Sequence, residues 1–425
     1  MLLISLLFAG LLIIGAPIGI ALGAPAVLYL ILEGIPLAVL VQRMTQVLNS
    51  FPLLAIPLFI VAGRLMNDGG LTKRIFRFAR NMVGWIPGGL GHVNIIDSVV
   101  FSGMSGTAIA DIAGMGQVEI RAMRSAGYPG RFVAGITAAS AIVGPILPPS
   151  IPFLLFALAS DASLLALFAG GVIPGLVIAF ALLITAGTYA YTNNLPRHQA
   201  EPINGIIASF LGALPALFAP VLMIGGMMTG VLSPTEAAGT AVLYTLLISL
   251  FVYRELKISD LPQILRELLS SVANLSFVIA AGLLFSWVLV LEEVPQTLIA
   301  GLLELSDNKW VLLCIVMAFF LIIGCFIEAT IVFLVVAPMV LPTLQAVGVN
   351  DVHFGVLTVF AMTIGLYTPP VGLALYIIKD LCEISFEEAV RSVAPFIMVF
   401  ILLLILFIFV PEIVTYLPER LGLLR

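Results

Sequence analysis

The stretch GPILPPSIPF, residues 144–153, places two adjacent prolines inside a long apolar segment and decides the fold. Proline lacks an N–H group and cannot continue a helix, so Pro148 and Pro149 should divide a membrane-spanning helix into two halves. Such a break exposes one helix N-terminus with partial positive charge and one C-terminus rich in unpaired carbonyl groups. In lipid, irregular backbone persists only where protein buries it or where it lines a cavity. The stretch therefore predicts a binding site within the membrane.

Composition agrees with an integral membrane protein. The chain has 425 residues, of which 61% are hydrophobic and 10% charged, and its mean hydropathy is +1.21. An ordinary soluble domain carries about 25% charged residues. The charge-free segments 132–160, 162–196 and 202–235 each exceed the roughly 20 residues that a spanning helix needs. We expect an all-α polytopic fold, with residues 2–32 forming either one tilted helix or one broken at GAPIG.

Several function classes are excluded by what the sequence lacks. The three cysteines and three histidines show neither a disulfide framework nor a transition-metal ligand pattern. There is no basic patch for nucleic acid and no Gly-rich GxxxxGK[ST] loop for ATP. Work against a gradient must therefore draw on ions or on a partner protein.

The chain is internally duplicated. GLYTPPVGLA (365–374) aligns with GPILPPSIPF (144–153) at an offset of 221 residues, and the same offset aligns Gly103 with Gly324. Residues 1–200 and 201–425 are predicted to form two repeats. Residues 71–85 carry four basic and no acidic side chains, whereas the equivalent 292–310 is mainly acidic. Because basic segments favour the cytoplasm, opposite signs predict an inverted-topology repeat. Residues 71–85 form either an amphipathic interfacial helix or an ordinary cytoplasmic loop.

Each repeat has a second interruption before its proline pair. FSGMSGTAIAD (101–111) is rich in glycine and hydroxyl groups, and the apolar arms beside it are short. We expect re-entrant hairpins at about 90–118 and 310–345, followed by broken helices at about 132–160 and 354–380. The alternative for the Gly/Ser run is close helix packing through small residues, and the alternative for the proline pairs is a simple helix kink. Four carboxylates in or beside apolar sequence are either functional or structural: Asp97, Asp111, Glu236 and Glu328.

Five stretches together resemble one family. NIIDSVVFSGMSGTAIAD (94–111), GPILPPSIP (144–152), SPTEAAG (233–239), GCFIEATI (324–331) and IGLYTPPVG (364–372) are similar to signatures of the large membrane subunit of tripartite ATP-independent periplasmic (TRAP) transporters. The resemblance spans both halves of the chain. One departure is Thr107, where the family often has serine, and a hydroxyl group is kept.

The resemblance implies a mechanism and a set of partners. It implies Na⁺-coupled symport of a small organic anion, of the C4-dicarboxylate or sialic acid class, by an elevator movement of a transport domain against a scaffold. It also implies a small four-helix membrane subunit (Q), a periplasmic substrate-binding protein (P) and a multi-pass location in the bacterial inner membrane. Two sets of residues follow by position. The Na⁺ ligands would come from Ser102, Gly103, Ser105, Gly106, Gly144, Pro145, Pro148, Gly324, Ile327, Glu328, Thr368 and Pro369. The substrate would contact Thr107, Asp111, Pro149, Ser150, Ala329, Thr330, Pro370 and Val371.

The residues also bear on rival functions. The two interruptions contain no evident lysine or arginine, so bound cations and helix termini would have to offset the charge of an anion. A stand-alone Na⁺-coupled anion transporter of the same repeat plan is the main alternative. An intramembrane serine protease is suggested by the GxSG pattern at Gly103–Gly106, but no histidine is suitably placed as a general base. The sequence therefore predicts a transporter and not an enzyme.

Overall fold

The computed structural model describes residues 2–48, 54–306, 308–327 and 329–424. All regular secondary structure in these ranges is helical. The apolar beginning of the chain is broken at GAPIG, because one helix ends at Ile13 and the next begins at Ile18. Glu328, which the family resemblance assigns to an ion site, lies outside the described residues.

In the first half, the described residues form eleven α-helices. In chain order they are α1 (Leu2–Ile13), α2 (Ile18–Leu32), α3 (Ala38–Leu48), α4 (Ala55–Asp68), α5 (Leu71–Val83), α6 (Gly89–Ser105), α7 (Ala108–Ala113), α8 (Met115–Ser125), α9 (Gly130–Ser140), α10 (Ile151–Ser160) and α11 (Leu164–Thr192). A 3₁₀ turn, Ala141–Val143, extends α9.

The described part of the second half also contains eleven α-helices. They are α12 (Ile203–Met228), α13 (Pro234–Leu247), α14 (Leu261–Leu291), α15 (Val294–Leu305), α16 (Lys309–Gly324), α17 (Ala329–Ile331), α18 (Ala337–Ala346), α19 (Asp351–Gly365), α20 (Leu373–Leu381), α21 (Phe386–Phe409) and α22 (Glu412–Arg420). A π-helical turn, Ile248–Val252, extends α13, and another, Val332–Val336, joins α17 to α18.

Helix boundaries recur between the halves. Adding 221 to the first residues of α7 and α9, 108 and 130, gives 329 and 351, the first residues of α17 and α19. Adding 223 to the limits of the α3–α4 segment, 38 and 68, gives 261 and 291, the limits of α14. Both proline pairs lie between helix halves, at 144–150 and 366–372. The opposed insertion of the two halves stays a prediction.

Six described helical segments are long and apolar enough to cross a membrane. They are Leu164–Thr192, Ile203–Met228, Pro234–Val252, Val272–Leu291, Ala329–Ala346 and Phe386–Phe409. At the centre lie the first halves of the broken helices: α19 is buried from Val352 to Gly365, and α9 from Phe132 to Ser140. Because the breaks follow these buried halves directly, the interrupted backbone begins in the protein interior.

Of the two alternatives for the basic segment after α4, the structure has the amphipathic helix. In α5, Leu71 and Ile75 are buried while Lys73 and Arg77 are exposed. The helix is tied to the chain after α13, since Lys73 Nζ and Arg74 Nη1 each lie 2.9 Å from a carboxylate oxygen of Glu255. The hydrogen bond from Lys73 has the larger effect and that from Arg74 the next, and both lower the pKa of Glu255 below its ordinary value.

Candidate functional site

The first break is a buried turn that is held by its own polar groups. Residues 144–150 are all buried, and the peptide bond between Pro148 and Pro149 is cis. The Ser150 hydroxyl donates to the carbonyl oxygen of Pro145 at 2.5 Å and accepts from the N–H of Phe153 at 3.2 Å. Ser150 thereby closes the turn and caps the N-terminus of α10.

The turn between α6 and α7, the first tip (residues 103–107), lies directly against this break. The carbonyl oxygen of Gly106 accepts from the N–H of Ile151 at 3.2 Å. Gly106 has a φ of 61°, and a Cβ built on it would lie 2.8 Å from the carbonyl oxygen of Pro149. Glycine is needed here for both reasons. Thr107 accepts from the N–H of Ala110 at 3.2 Å and so caps α7.

The predicted ion-site residues of the first half are thus partly brought together. A Cβ on Gly144 would lie 3.5 Å from the carbonyl oxygen of Thr107, so both sides of the proposed site are in contact. Ser102 is buried near Pro148, but its hydroxyl donates to the carbonyl oxygen of Val99 at 2.6 Å. Gly103 and Ser105 lie in the last turn of α6, and their side chains lie outside the described part of the structure.

The turn after α16, the second tip (residues 324–327), meets the second break in an equivalent way. The carbonyl oxygen of Cys325 accepts from the N–H of Gly372 at 3.2 Å. Gly324 approaches Gly365 so closely that a Cβ on Gly365 would lie 2.6 Å from Gly324 Cα. The Thr368 hydroxyl donates to the carbonyl oxygen of Ile364 at 2.9 Å, which leaves its lone pairs as oxygen acceptors.

The two breaks differ in exposure. Pro148 and Pro149 are buried, whereas Pro369 and Pro370 are exposed and Val371 is half-buried. Ile327 is also half-buried, and its N–H donates to the carbonyl oxygen of Ile323 at 2.9 Å. The repeats therefore match in chain order and backbone contacts but are not equally covered in this structure.

A cavity of about 490 Å³ lies between the first tip and the wall formed by α4 and α14. This volume is within the range of small-molecule binding sites. Of the predicted substrate contacts, Thr107 and Thr330 line it. Ser150, Ala329, Pro370 and Val371 are not among the described lining residues, and neither are Pro149 and Asp111. The described lining is Phe59, Ile60, Gly63, Arg64, Asn67, Phe101, Thr107, Ile109, Ala110, Ala113, Gly114, Ile151, Leu155, Leu275 and Thr330.

The α4 wall of this cavity was missed by reasoning from the sequence. It supplies Arg64 and Asn67, although the sequence indicated no basic residue near the interruptions. Arg64 Nε donates to Asp68 Oδ2 at 2.6 Å, and the two side chains are 47% and 28% exposed. The available signal was an i,i+4 arginine–aspartate pair at the end of an otherwise apolar helix. That pattern usually indicates an exposed surface pair, so it did not single out a binding wall.

Asp111 lies in a buried acidic group and not on the cavity surface. Asp97 on α6, Asp111 on α7 and Glu119 on α8 are each no more than 2% exposed, and they interact electrostatically. Neither carboxylate oxygen of Asp97 accepts a hydrogen bond from the described residues. No group of three metal-ligating side chains is assembled among the described residues. Carboxyl groups buried in this way within a membrane protein are costly.

Glu236 has a structural role. Its carboxylate accepts from the backbone N–H of Ser233 at 2.8 Å, and its own N–H donates to the Ser233 hydroxyl at 3.3 Å. This reciprocal pair is a capping box at the start of α13. Of the functional and structural interpretations of Glu236, the structural one is sufficient.

Comparison with known proteins identifies relatives over almost the whole chain. A family model described as "Tripartite ATP-independent periplasmic transporter, DctM component" matches residues 5–413. The sialic acid TRAP transporter large permease protein SiaM of Vibrio cholerae is 39% identical over 417 residues, which cover 96% of each chain. The 2,3-diketo-L-gulonate TRAP transporter large permease protein YiaN of Escherichia coli is 35% identical over 405 residues, covering 93% of this chain and 95% of YiaN.

A solved structure shares the fold. The YdaH transporter of Alcanivorax borkumensis, reported to have an unusual topology, superposes with a TM-score of 0.58 over 87% of this chain and 86% of YdaH. Its sequence identity is 15%, so the likeness concerns the fold alone.

Proposed function

Because the chain belongs to the DctM component family of tripartite ATP-independent periplasmic transporters, we propose that it is a Na⁺-coupled permease for a small organic anion. Family membership makes the chain a large permease subunit and a multi-pass protein of the inner membrane. The relatives are transporters, so the protease interpretation of the GxSG pattern is wrong. The coupling ion, the substrate class and the elevator movement are parts of the proposal.

One observation carries the proposed Na⁺ coupling: each tip is hydrogen-bonded to the break of its own repeat. The Gly106–Ile151 and Cys325–Gly372 hydrogen bonds hold the two tips against two interrupted helices. Both places concentrate backbone carbonyl oxygens that are not committed to a regular helix. Interrupted helices with carbonyl ends are the usual ion sites of secondary transporters. Each tip–break contact would hold Na⁺, with Thr368 adding a hydroxyl oxygen at the second.

The cavity supports a carboxylate-bearing substrate. Thr107 and Thr330 present hydroxyl groups, and Ile151 lies at the first turn of α10, where the helix dipole favours negative charge. SiaM and YiaN are named for sialic acid and 2,3-diketo-L-gulonate, both organic acids. The proposed substrate is therefore an organic anion of the sialic acid or C4-dicarboxylate class.

The elevator movement is inferred from how the cavity is built. One wall belongs to the elements that hold the tips and breaks, α6–α10 and α16–α20, which we call the transport body. The other wall belongs to α4 and α14. A substrate held between two such walls can be released when the transport body slides along the other helices. Sliding would carry the tips, the ions and the substrate together.

Partners are proposed on the same basis. The membrane-crossing window of α12 is 28% buried within the chain, and Leu211, Phe218 and Val221 are exposed on it. This apolar surface suits lipid or the small four-helix permease subunit (Q). The periplasmic substrate-binding protein (P) would deliver the anion.

Uptake into proteoliposomes tests the proposal. Vesicles containing both membrane subunits, with the binding protein outside, are given labelled sialic acid or succinate and an inward gradient of NaCl or KCl. We expect that one of the two anions accumulates, and that its accumulation requires both the Na⁺ gradient and the binding protein. Equal accumulation in K⁺ contradicts Na⁺ coupling, and full uptake without the binding protein favours a stand-alone transporter.

A further inference from the structure

We propose that the Arg64 guanidinium binds the carboxylate of the substrate on the α4 wall of the cavity, and that this carboxylate replaces Asp68 as the partner of Arg64. The inference rests on the proposed function and adds a specificity-determining residue to it. The predicted substrate contacts all lie on the transport body, whereas Arg64 lies on the opposite wall.

The charge distribution of the cavity points to this residue. Among the described residues that line it, Arg64 alone carries a full charge; the others are apolar, small, hydroxyl or amide side chains. An anion entering an apolar cavity needs a compensating charge or donor, since desolvating a carboxylate is expensive. Asn67, one turn further along α4, adds an amide to the same wall.

The pairing of Arg64 is suited to exchange. Nε donates to Asp68 Oδ2 at 2.6 Å, and both groups keep contact with solvent, being 47% and 28% exposed. A half-exposed ion pair gains little net free energy. Replacing the Asp68 carboxylate with that of a substrate keeps a charge-assisted hydrogen bond on the guanidinium, whose planar shape fits a carboxylate well. Asp68 thereby acts as an internal competitor that limits how tightly the anion is held.

The position of Arg64 also predicts when it acts. It lies in the last two turns of α4, next to the basic helix α5, whose charges favour the cytoplasmic side. Once the transport body slides away from α4, the substrate can no longer reach the guanidinium. Arg64 therefore serves the state in which the cavity opens towards α5, the state of substrate release.

The test uses a cysteine as a reporter of charge in the cavity. Cys314, Cys325 and Cys382 are replaced with alanine, and Ile109, a cavity-lining residue that is 39% exposed, is replaced with cysteine. Rates of modification are measured in the full chain with a sulfonate-bearing and a quaternary-ammonium-bearing methanethiosulfonate. These probes do not depend on knowing the natural substrate.

The modification rates should change in opposite directions in Arg64→Gln and Asp68→Asn. Arg64→Gln should slow the anionic reagent about fivefold and speed the cationic one by a similar factor, the effect of one unit charge a few ångströms away in water. Asp68→Asn should do the reverse. The control is Arg391→Gln, because Arg391 Nη2 and Glu387 Oε1 also form an i,i+4 ion pair at 2.6 Å, with the acid first in the chain, and neither residue is among the described residues that line the cavity. It should change neither rate.

Protection by ligand completes the experiment. Whichever of sialic acid and succinate slows modification of the cysteine should need about tenfold more ligand in Arg64→Gln. Arg64→Lys should fall between, because lysine keeps the charge but loses the planar fork. Unchanged reagent rates in Arg64→Gln, or unchanged protection, would overturn the inference even if uptake is Na⁺-driven. Loss of Na⁺-driven uptake with the reagent pattern intact would count against the proposed function and support Arg64 as the anion-attracting group.

Discussion

Replacing Gly106 with alanine perturbs the contact between the first tip and its break. The new Cβ would lie 2.8 Å from the carbonyl oxygen of Pro149 and 3.2 Å from the backbone nitrogen of Ile151. Neither atom belongs to a flexible side chain, so the tip itself must move. Gly106 also has a φ of 61°, which alanine adopts at a cost.

The loss of folding stability expected for Gly106→Ala has two contributions. The left-handed conformation costs alanine roughly 1–2 kcal/mol. Displacing the tip also weakens the Gly106–Ile151 hydrogen bond, which contributes about 1 kcal/mol. Gly127→Ala is the matched control, because Gly127 has a φ of 80° and nothing lies within 4 Å of its Cβ position. We therefore expect Gly106→Ala to lose about 1 kcal/mol more than Gly127→Ala.

The assay is thermal unfolding of the full chain in detergent, in NaCl and in choline chloride at equal ionic strength. A ligand at a hundred times its dissociation constant stabilises the folded state by about 2.7 kcal/mol. Gly127→Ala should lower both melting temperatures and keep the Na⁺-dependent increment, whereas Gly106→Ala should lose most of that increment. An equal Na⁺ increment in both variants would refute the assignment of a Na⁺ site to this contact.

Three further predictions concern other parts of the molecule. Gly365→Ala should disrupt the second tip and abolish Na⁺-driven uptake, whereas Gly212→Ala, with nothing within 4 Å of its Cβ position, should be tolerated. Glu255→Gln should lower stability at pH 7 by less than about 1 kcal/mol. The pKa of Glu255 is lowered in the folded state, so the stability difference between the wild type and Glu255→Gln should disappear as the pH falls below that pKa. Melting temperatures measured over a series of pH values check this. Cysteines replacing Arg77 and Gln296 should react with an impermeant maleimide from opposite sides of sealed vesicles; reaction from one side would contradict the inverted repeat.

Much of the helical plan could be predicted from the sequence. Proline pairs and long charge-free segments have direct physical consequences for backbone hydrogen bonding, so both breaks are found where expected. The first residues of α7 and α17 are separated by the same 221-residue shift that relates the two halves of the sequence. The Gly/Ser run at 101–107 did end one helix and begin another, with Gly106 at the turn.

The cavity could be predicted only in part. Thr107 and Thr330 were found through the family resemblance, because both residues lie within its signature stretches. Arg64 and Asn67 were missed because α4 reaches the cavity through tertiary packing, which no local pattern encodes. The burial of Asp111 was missed for the same reason: its neighbours Asp97 and Glu119 belong to two other helices.

Simultaneous flux measurement tests the central claim most directly. Proteoliposomes with both membrane subunits and external binding protein are given ²²Na⁺ and a tritiated organic acid, and both fluxes are counted in the same vesicles. Coupling through the two tip–break contacts predicts that Na⁺ enters with each anion and that omitting either solute stops the flux of the other. Accumulation of the anion without any Na⁺ flux would contradict it.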